Sequence, residues 1–133
     1  MKLVLDTNTL FTFFWKGSLI KKLLAKKHTL YSPEFALEEL NKHKQDISNK
    51  THISFNDFTE LINGLKSLVI FIEFSQYSNK IPEAFELLPE HAKDIDFLAL
   101  ALKLNASIVS NDKELLKQSR IKIFNKTNIV SLL

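Results

Sequence analysis

Leu3-Val4-Leu5-Asp6 near the start of the chain and Ser107-Ile108-Val109-Ser110-Asn111-Asp112 near its end each run from an apolar strand straight into an aspartate. Leu3, Val4 and Leu5 follow one another with no polar alternation, the pattern of a strand buried on both faces of a parallel sheet. In an open α/β sheet the ligand crevice lies outside the carboxyl ends of the strands, so an acid at such an end points into it. Two such ends predict one shared acidic pocket.

Working outward from these strands, helices and strands alternate. Asn8 is placed to cap a short helix through Trp15, closed by Lys16-Gly17. A second helix, Ser18 to about Lys27, puts Leu19, Ile20, Leu23 and Leu24 on one side. His28 to Tyr31 reads as a strand, and Ser32-Pro33 opens a helix to about Lys44, with Ser32 as cap and Pro33 at the first position. The polar stretch Gln45 to His52 reads as a loop, Ser54 to Lys66 as a helix, and Leu68 to Ile72 as a buried strand. A short helix over Pro82 to Leu88 precedes a connection, Pro89 to Lys93. Asp94 to Leu104 is the clearest helix of the chain, followed by the strand Ala106 to Ser110, a helix Lys113 to Gln118 and a last strand Ile121 to Phe124. This order predicts a parallel sheet wrapped by helices on both faces.

The 133 residues suit one domain spanning 1–133. An apolar share of 45% and a charged share of 25% are ordinary for a soluble globular protein and argue against disorder. There is no cysteine, which excludes disulfides and thiolate metal sites and leaves oxygen or imidazole as the only ligands for a metal. No apolar run reaches the roughly 18 residues of a membrane helix, and Asp6 interrupts the first strand too soon for a signal peptide. A cytoplasmic protein with no membrane partner is expected. The net charge of +3 is carried almost wholly by lysine, with Arg120 the sole arginine, which suits a polyanionic partner without demanding one.

An acid on a helix is usually a solvated surface group, so the informative acids are those on the buried side. At about 100° per residue, Asp96 lies within about 20° of Lys103, on the solvent face, and is expected to be exposed. Asp94 points the other way and shares the stripe of Phe97, Leu98, Ala101 and Leu102. Unpaired there, its carboxylate would cost several kcal/mol, so a cation or hydrogen bonds should meet it. In the helix after Pro33, the inner side is set by Phe35, Ala36, Leu37 and Leu40. Glu39 falls about 40° from Phe35, whereas Glu38 points away beside Asn41 and Lys42. His43, one turn on, reads as a core or rim histidine before it reads as a ligand.

Four carboxylates thus converge: Asp6 and Asp112 at strand ends, Asp94 at a helix start, Glu39 on a helix. Singly, Asp94 reads equally as a helix cap and Asp112 as a first-turn acid complementing the dipole. Jointly they repel unless a divalent cation compensates them, and oxygen-only ligation points to Mg²⁺ or Mn²⁺.

The ordered set Leu5-Asp6-Thr7-Asn8, Glu39-Leu40, Asp94-x-x-Phe97-Leu98-Ala99-Leu100-Ala101 and Val109-Ser110-Asn111-Asp112 resembles the PIN-domain nucleases, including the toxins of VapBC-type toxin-antitoxin systems. The resemblance covers nearly the whole chain in order and spacing. It implies a three-layer α/β/α sandwich with a central, mostly parallel sheet. It also implies a ribonuclease that hydrolyses phosphodiester bonds of RNA, commonly single-stranded, using Mg²⁺ or Mn²⁺ on a quartet of Asp6, Glu39, Asp94 and Asp112. The polar residue of the first motif falls on Asn8 and the small hydroxyl residue two before the last acid on Ser110, both neutral donors able to orient a carboxylate. An antitoxin protein becomes a candidate partner. The residue before Asp94, often acidic in that family, is Lys93 here.

An acidic pocket repels RNA, so affinity must come from lysines around it, and Lys16, Lys42, Lys44 and Lys113 are the candidates nearest the motifs in sequence. The cluster Phe11, Phe13, Phe14 and Trp15 reads first as core packing and second as a surface for a homodimer or an antitoxin. Two rival functions share parts of this pattern. Haloacid-dehalogenase-like phosphatases also follow an apolar strand with Asp-x-Asp, but the second acid, their proton donor, is Asn8 here. A PIN-fold module that binds RNA or protein without chemistry would keep the acids and lack turnover.

Overall fold

The computed structural model describes residues 1–15 and 18–133, so the expected helix end at Lys16-Gly17 lies outside the described residues. Five strands, β1 Lys2–Leu5, β2 Thr29–Pro33, β3 Ile70–Ile72, β4 Ser107–Val109 and β5 Ile123–Phe124, form one sheet in the order β3-β2-β1-β4-β5. Every pairing is parallel. β1 is the centre, and Leu3 and Leu5 point to one face while Val4 points to the other. All three are fully buried, so both faces are covered. The result is an α/β sandwich, as the alternation of elements predicts.

The helices are α1 Thr7–Phe11, α2 Leu19–Ala25, α3 Glu34–Lys42, α4 Lys44–Thr51, α5 Phe55–Leu68, α6 Phe74–Tyr77, α7 Ile81–Leu87 and α8 Ala92–Leu104. α8 is the most buried: Phe97 to Ala101 are all inside, and it packs on β1, β2 and β4. Its end is set by Asn105, which takes the left-handed conformation (φ 54°) that asparagine tolerates better than most residues. Among the described residues no helix is long and apolar enough to cross a membrane.

Several local expectations need correction. The cap of α1 is Asp6, whose side chain accepts from the Thr9 N–H, not Asn8. Ser32 does not cap α3; its buried hydroxyl donates to the Leu5 carbonyl at 2.8 Å and ties β2 to β1, while Pro33 holds the cap position. Gln45 to His52 is largely helical, as α4. That helix buries Ile47 and Ser48 alone, too few positions for an apolar period to appear in the sequence. β3 begins only at Ile70, because Leu68 closes α5. It is an edge strand rather than a buried one, with Ile70 48% exposed. Ordering of Phe74–Tyr77 into α6 was not expected, and Lys113–Lys117 is a 3-10 turn rather than an α-helix.

Candidate functional site

The sheet order reverses at β1: the chain moves from β1 outward to β2 and β3, then returns to the other side of β1 for β4. Such a switch point opens a crevice beyond the strand ends. Leu5 lies opposite Val109, and the Asp6 N–H donates to the Val109 carbonyl at 3.4 Å. That register brings the residues after β1 and β4 side by side.

Asp6 is buried (7% exposed) and doubly fixed. One oxygen accepts from the Thr9 N–H at 2.8 Å, and the other accepts from the Ser110 hydroxyl. The same Ser110 oxygen accepts from the Asp112 N–H at 3.0 Å, so one buried hydroxyl links both strand-end acids. Asp112 accepts from the Glu114 N–H at 3.0 Å and from Lys93 Nζ at 3.3 Å. Asp94, at the start of α8, is also buried (5% exposed), and its Oδ2 has no hydrogen-bond partner. Burial first, then the charge and contact of Asp112, raise the Asp94 pKa to about 6, with Asp6 adding and Lys93 opposing. Asp112 moves the other way: burial pushes it up, but the Glu114 N–H, the Lys93 ammonium and Asp94 outweigh burial and hold it below the usual carboxylate range.

Glu39 stands on α3, half-buried, 3.9 Å from Lys42 and 3.8 Å from His43. His43 lies on the rim between Glu39 and Asp46, its ring nitrogens 3.8 and 3.7 Å from their carboxylates. Asn8 is exposed on the wall of the cleft, so the orientation of Asp6 comes from Thr9 and Ser110.

All four predicted acids line one cleft of about 750 Å³. Among the described residues its wall carries seven carboxylates, from Asp6, Glu34, Glu38, Glu39, Asp94, Asp96 and Asp112, against one ammonium, Lys93. Two face assignments therefore change. Glu38, expected to point away, reaches the cleft wall. Asp96, expected to be exposed, is half-buried there and accepts from the Tyr77 hydroxyl at 2.5 Å, which, after burial, is what drives the Tyr77 pKa up. Helical phase could not foresee this, because α6, which supplies Tyr77, was not anticipated. Lys93 was missed as a cleft residue although it neighbours Asp94. Of the lysines chosen by sequence proximity, Lys42, Lys44 and Lys113 do not line the cleft, and Lys16 lies outside the described residues. The aromatic cluster divides: Phe13 and Phe14 are core, Phe14 stacking on Phe58 at 5.1 Å, while Phe11 lines the cleft and Trp15 is 42% exposed.

An all-oxygen donor set, a buried carboxylate oxygen without a partner and like charges in contact are chemistry that fits a hard divalent cation. Among the described residues no group of three His, Asp or Glu side chains is already arranged to hold one. Closing the site asks for movement of side chains, with Lys93 now supplying the positive charge at Asp112.

Comparison with solved structures finds the same fold in a chain of VapBC2 from Rickettsia felis, crystallised bound to a DNA fragment from their promoter. The TM-score is 0.70 at 20% identity, over 94% of this chain and 98% of that one. A chain of VapBC-1 from nontypeable Haemophilus influenzae gives a TM-score of 0.69 at 17% identity, over 96% and 99% of the two chains. No curated protein matches the sequence. The pattern that defines the PIN domain matches residues 4–129, the whole run from the first buried strand past the last acid. This chain belongs to the PIN-domain family.

Proposed function

We propose that the protein is a divalent-metal-dependent ribonuclease that hydrolyses phosphodiester bonds of single-stranded RNA. The observation that carries this reading is the meeting of buried Asp6 and Asp94 with half-buried Asp112 at the sheet's switch point, with an unpartnered Asp94 oxygen. Asp6, Asp94 and Asp112 would hold Mg²⁺ or Mn²⁺, with Glu39 on the wall of the same cleft. When bound, such a cation polarises the phosphate, lowers the pKa of a water and offsets charge on the leaving oxygen. The rest falls to the chain. Thr9 and Ser110 hold the Asp6 carboxylate in one orientation, so that its charge is preorganised rather than free to rotate. Glu39, half-exposed on the same cleft, is the acid able to accept a hydrogen bond from the attacking water and so orient it. In the reaction a water oxygen bonds to phosphorus and gives up a proton to solvent, while the P–O bond to the leaving ribose oxygen breaks and that oxygen takes up a proton from solvent.

The phosphatase reading loses its proton donor, since position 8 is an asparagine exposed on the cleft wall. The VapBC likeness supports, at the level of fold, a role as the toxin of a toxin-antitoxin pair with an antitoxin partner. The test is cleavage of a mixed single-stranded RNA with Mn²⁺ by the intact protein and by Asp6→Asn and Asp94→Asn. Cleavage by the intact protein alone is the expected result. Equal activity in all three refutes the assignment of the acids, and no activity in any favours a binding module without chemistry.

A further inference from the structure

Lys93 is the one ammonium that lines a cleft of seven carboxylates among the described residues, and it is committed to Asp112 at 3.3 Å. Its side chain is 77% exposed, so charge holds it over the acids, its pairing with Asp112 first and the pull of Asp94 and Glu114 after it. A solvated pair of this kind contributes little to stability, and a lysine stem is flexible enough to leave it. Two demands meet at this side chain. A dication at Asp112 would compete with the ammonium for the same carboxylate, and an RNA phosphate entering so acidic a cleft needs a cation from the protein. Among the described residues no other lysine or arginine lines the cleft wall to answer the second demand.

We infer that Lys93 is an exchangeable cation: it neutralises Asp112 in the metal-free protein and, displaced by a divalent ion, turns to hold a phosphate oxygen of the bound RNA. This inference rests on the metal-dependent reading above and assigns Lys93 a positioning role for the substrate. It makes a prediction of opposite sign for two ligands. Removing the ammonium should strengthen metal binding, because a competitor is gone, and weaken RNA binding, because a phosphate contact is gone. A residue that only supported the local fold would weaken both.

The experiment pairs Mn²⁺ titration by calorimetry, without RNA, with the anisotropy of a labelled single-stranded RNA in saturating Ca²⁺ across a salt series, for the intact protein, Lys93→Gln and Lys93→Arg. Lys93→Gln should bind Mn²⁺ up to about fivefold more tightly. It should bind RNA more weakly, with a salt slope shallower by about 0.7, the share of one phosphate on a single strand. Lys93→Arg should keep the RNA affinity and slope. Unchanged metal and RNA binding in Lys93→Gln, or changes of the same sign in both, overturn the inference. If Asp6→Asn and Asp94→Asn abolish Mn²⁺ binding while Lys93→Gln is silent, only the role of Lys93 falls. If the intact protein binds no Mn²⁺, the metal-dependent reading falls with it.

Discussion

Asp94 concentrates the physics of the site in one side chain. It is buried, faces Asp112 and Asp6, and has an oxygen with no partner, so its ionised form is disfavoured in the folded protein. Its pKa rises from 3.8 to about 6, so the metal-free fold binds this proton more tightly than the unfolded chain does. Stability from that proton is complete below the unfolded value and is lost as pH rises through the folded one. Metal-free thermal unfolding should therefore show a midpoint that falls between about pH 4 and pH 6, and Asp94→Asn should flatten the fall and raise the midpoint at pH 7. A variant that melts lower at pH 7 would place the aspartate in a stabilising role instead. Ser110 gives a second residue-scale prediction. Its buried hydroxyl donates to Asp6 and accepts from the Asp112 N–H, the first bond in the interior and the second half-buried. Ser110→Ala should cost about 1–3 kcal/mol in denaturant unfolding through the partners left unpaired. It should also lower Mn²⁺ affinity or cleavage by about 10-fold or more. Ser110→Thr, which keeps the hydroxyl, should recover much of the metal affinity.

At the scale of elements, what the sequence made legible follows from how each element is buried. β1, β4 and α8 are enclosed, so their apolar runs carry the signal directly, and their ends fall within a residue or two of expectation. α4 and α6 are peripheral and escape for that reason. α4 is mostly polar with one buried apolar side chain, and α6 is a single turn whose exposed Phe74 packs edge-on to Tyr77. The same distinction runs through the site. Asp6, Asp94, Asp112 and Glu39 meet in one cleft because strand ends and helical phase are local properties. Asp96 and Lys93 depend on partners remote in sequence, Tyr77 and Asp112, that no local pattern reveals. Element ends give a control for the functional predictions. Ser54 caps α5 by accepting from the Asp57 N–H at 3.1 Å, far in sequence from the acids. Ser54→Ala should lower unfolding stability by about 1 kcal/mol and leave Mn²⁺-dependent cleavage unchanged.

For the molecule as a whole, function is placed by topology. Parallel pairing aligns all five strand C-termini at one edge, and the reversal of order at β1 opens that edge beside Asp6. The register of β1 with β4 then brings half-buried Asp112 into reach of Asp6, and α8, packed on both strands, delivers Asp94. The same architecture leaves the cleft strongly negative, so that the proposed ribonuclease reading requires metal loading before productive contact with a polyanion. The account turns on the three aspartates closing around one hard cation, and anomalous scattering from crystals soaked in Mn²⁺ tests that claim most directly. The predicted result is a peak in the cleft about 2.0–2.3 Å from carboxylate oxygens of Asp6, Asp94 and Asp112, absent in Asp94→Asn crystals. A fully soaked crystal with no peak there, or with its manganese elsewhere on the surface, would contradict it.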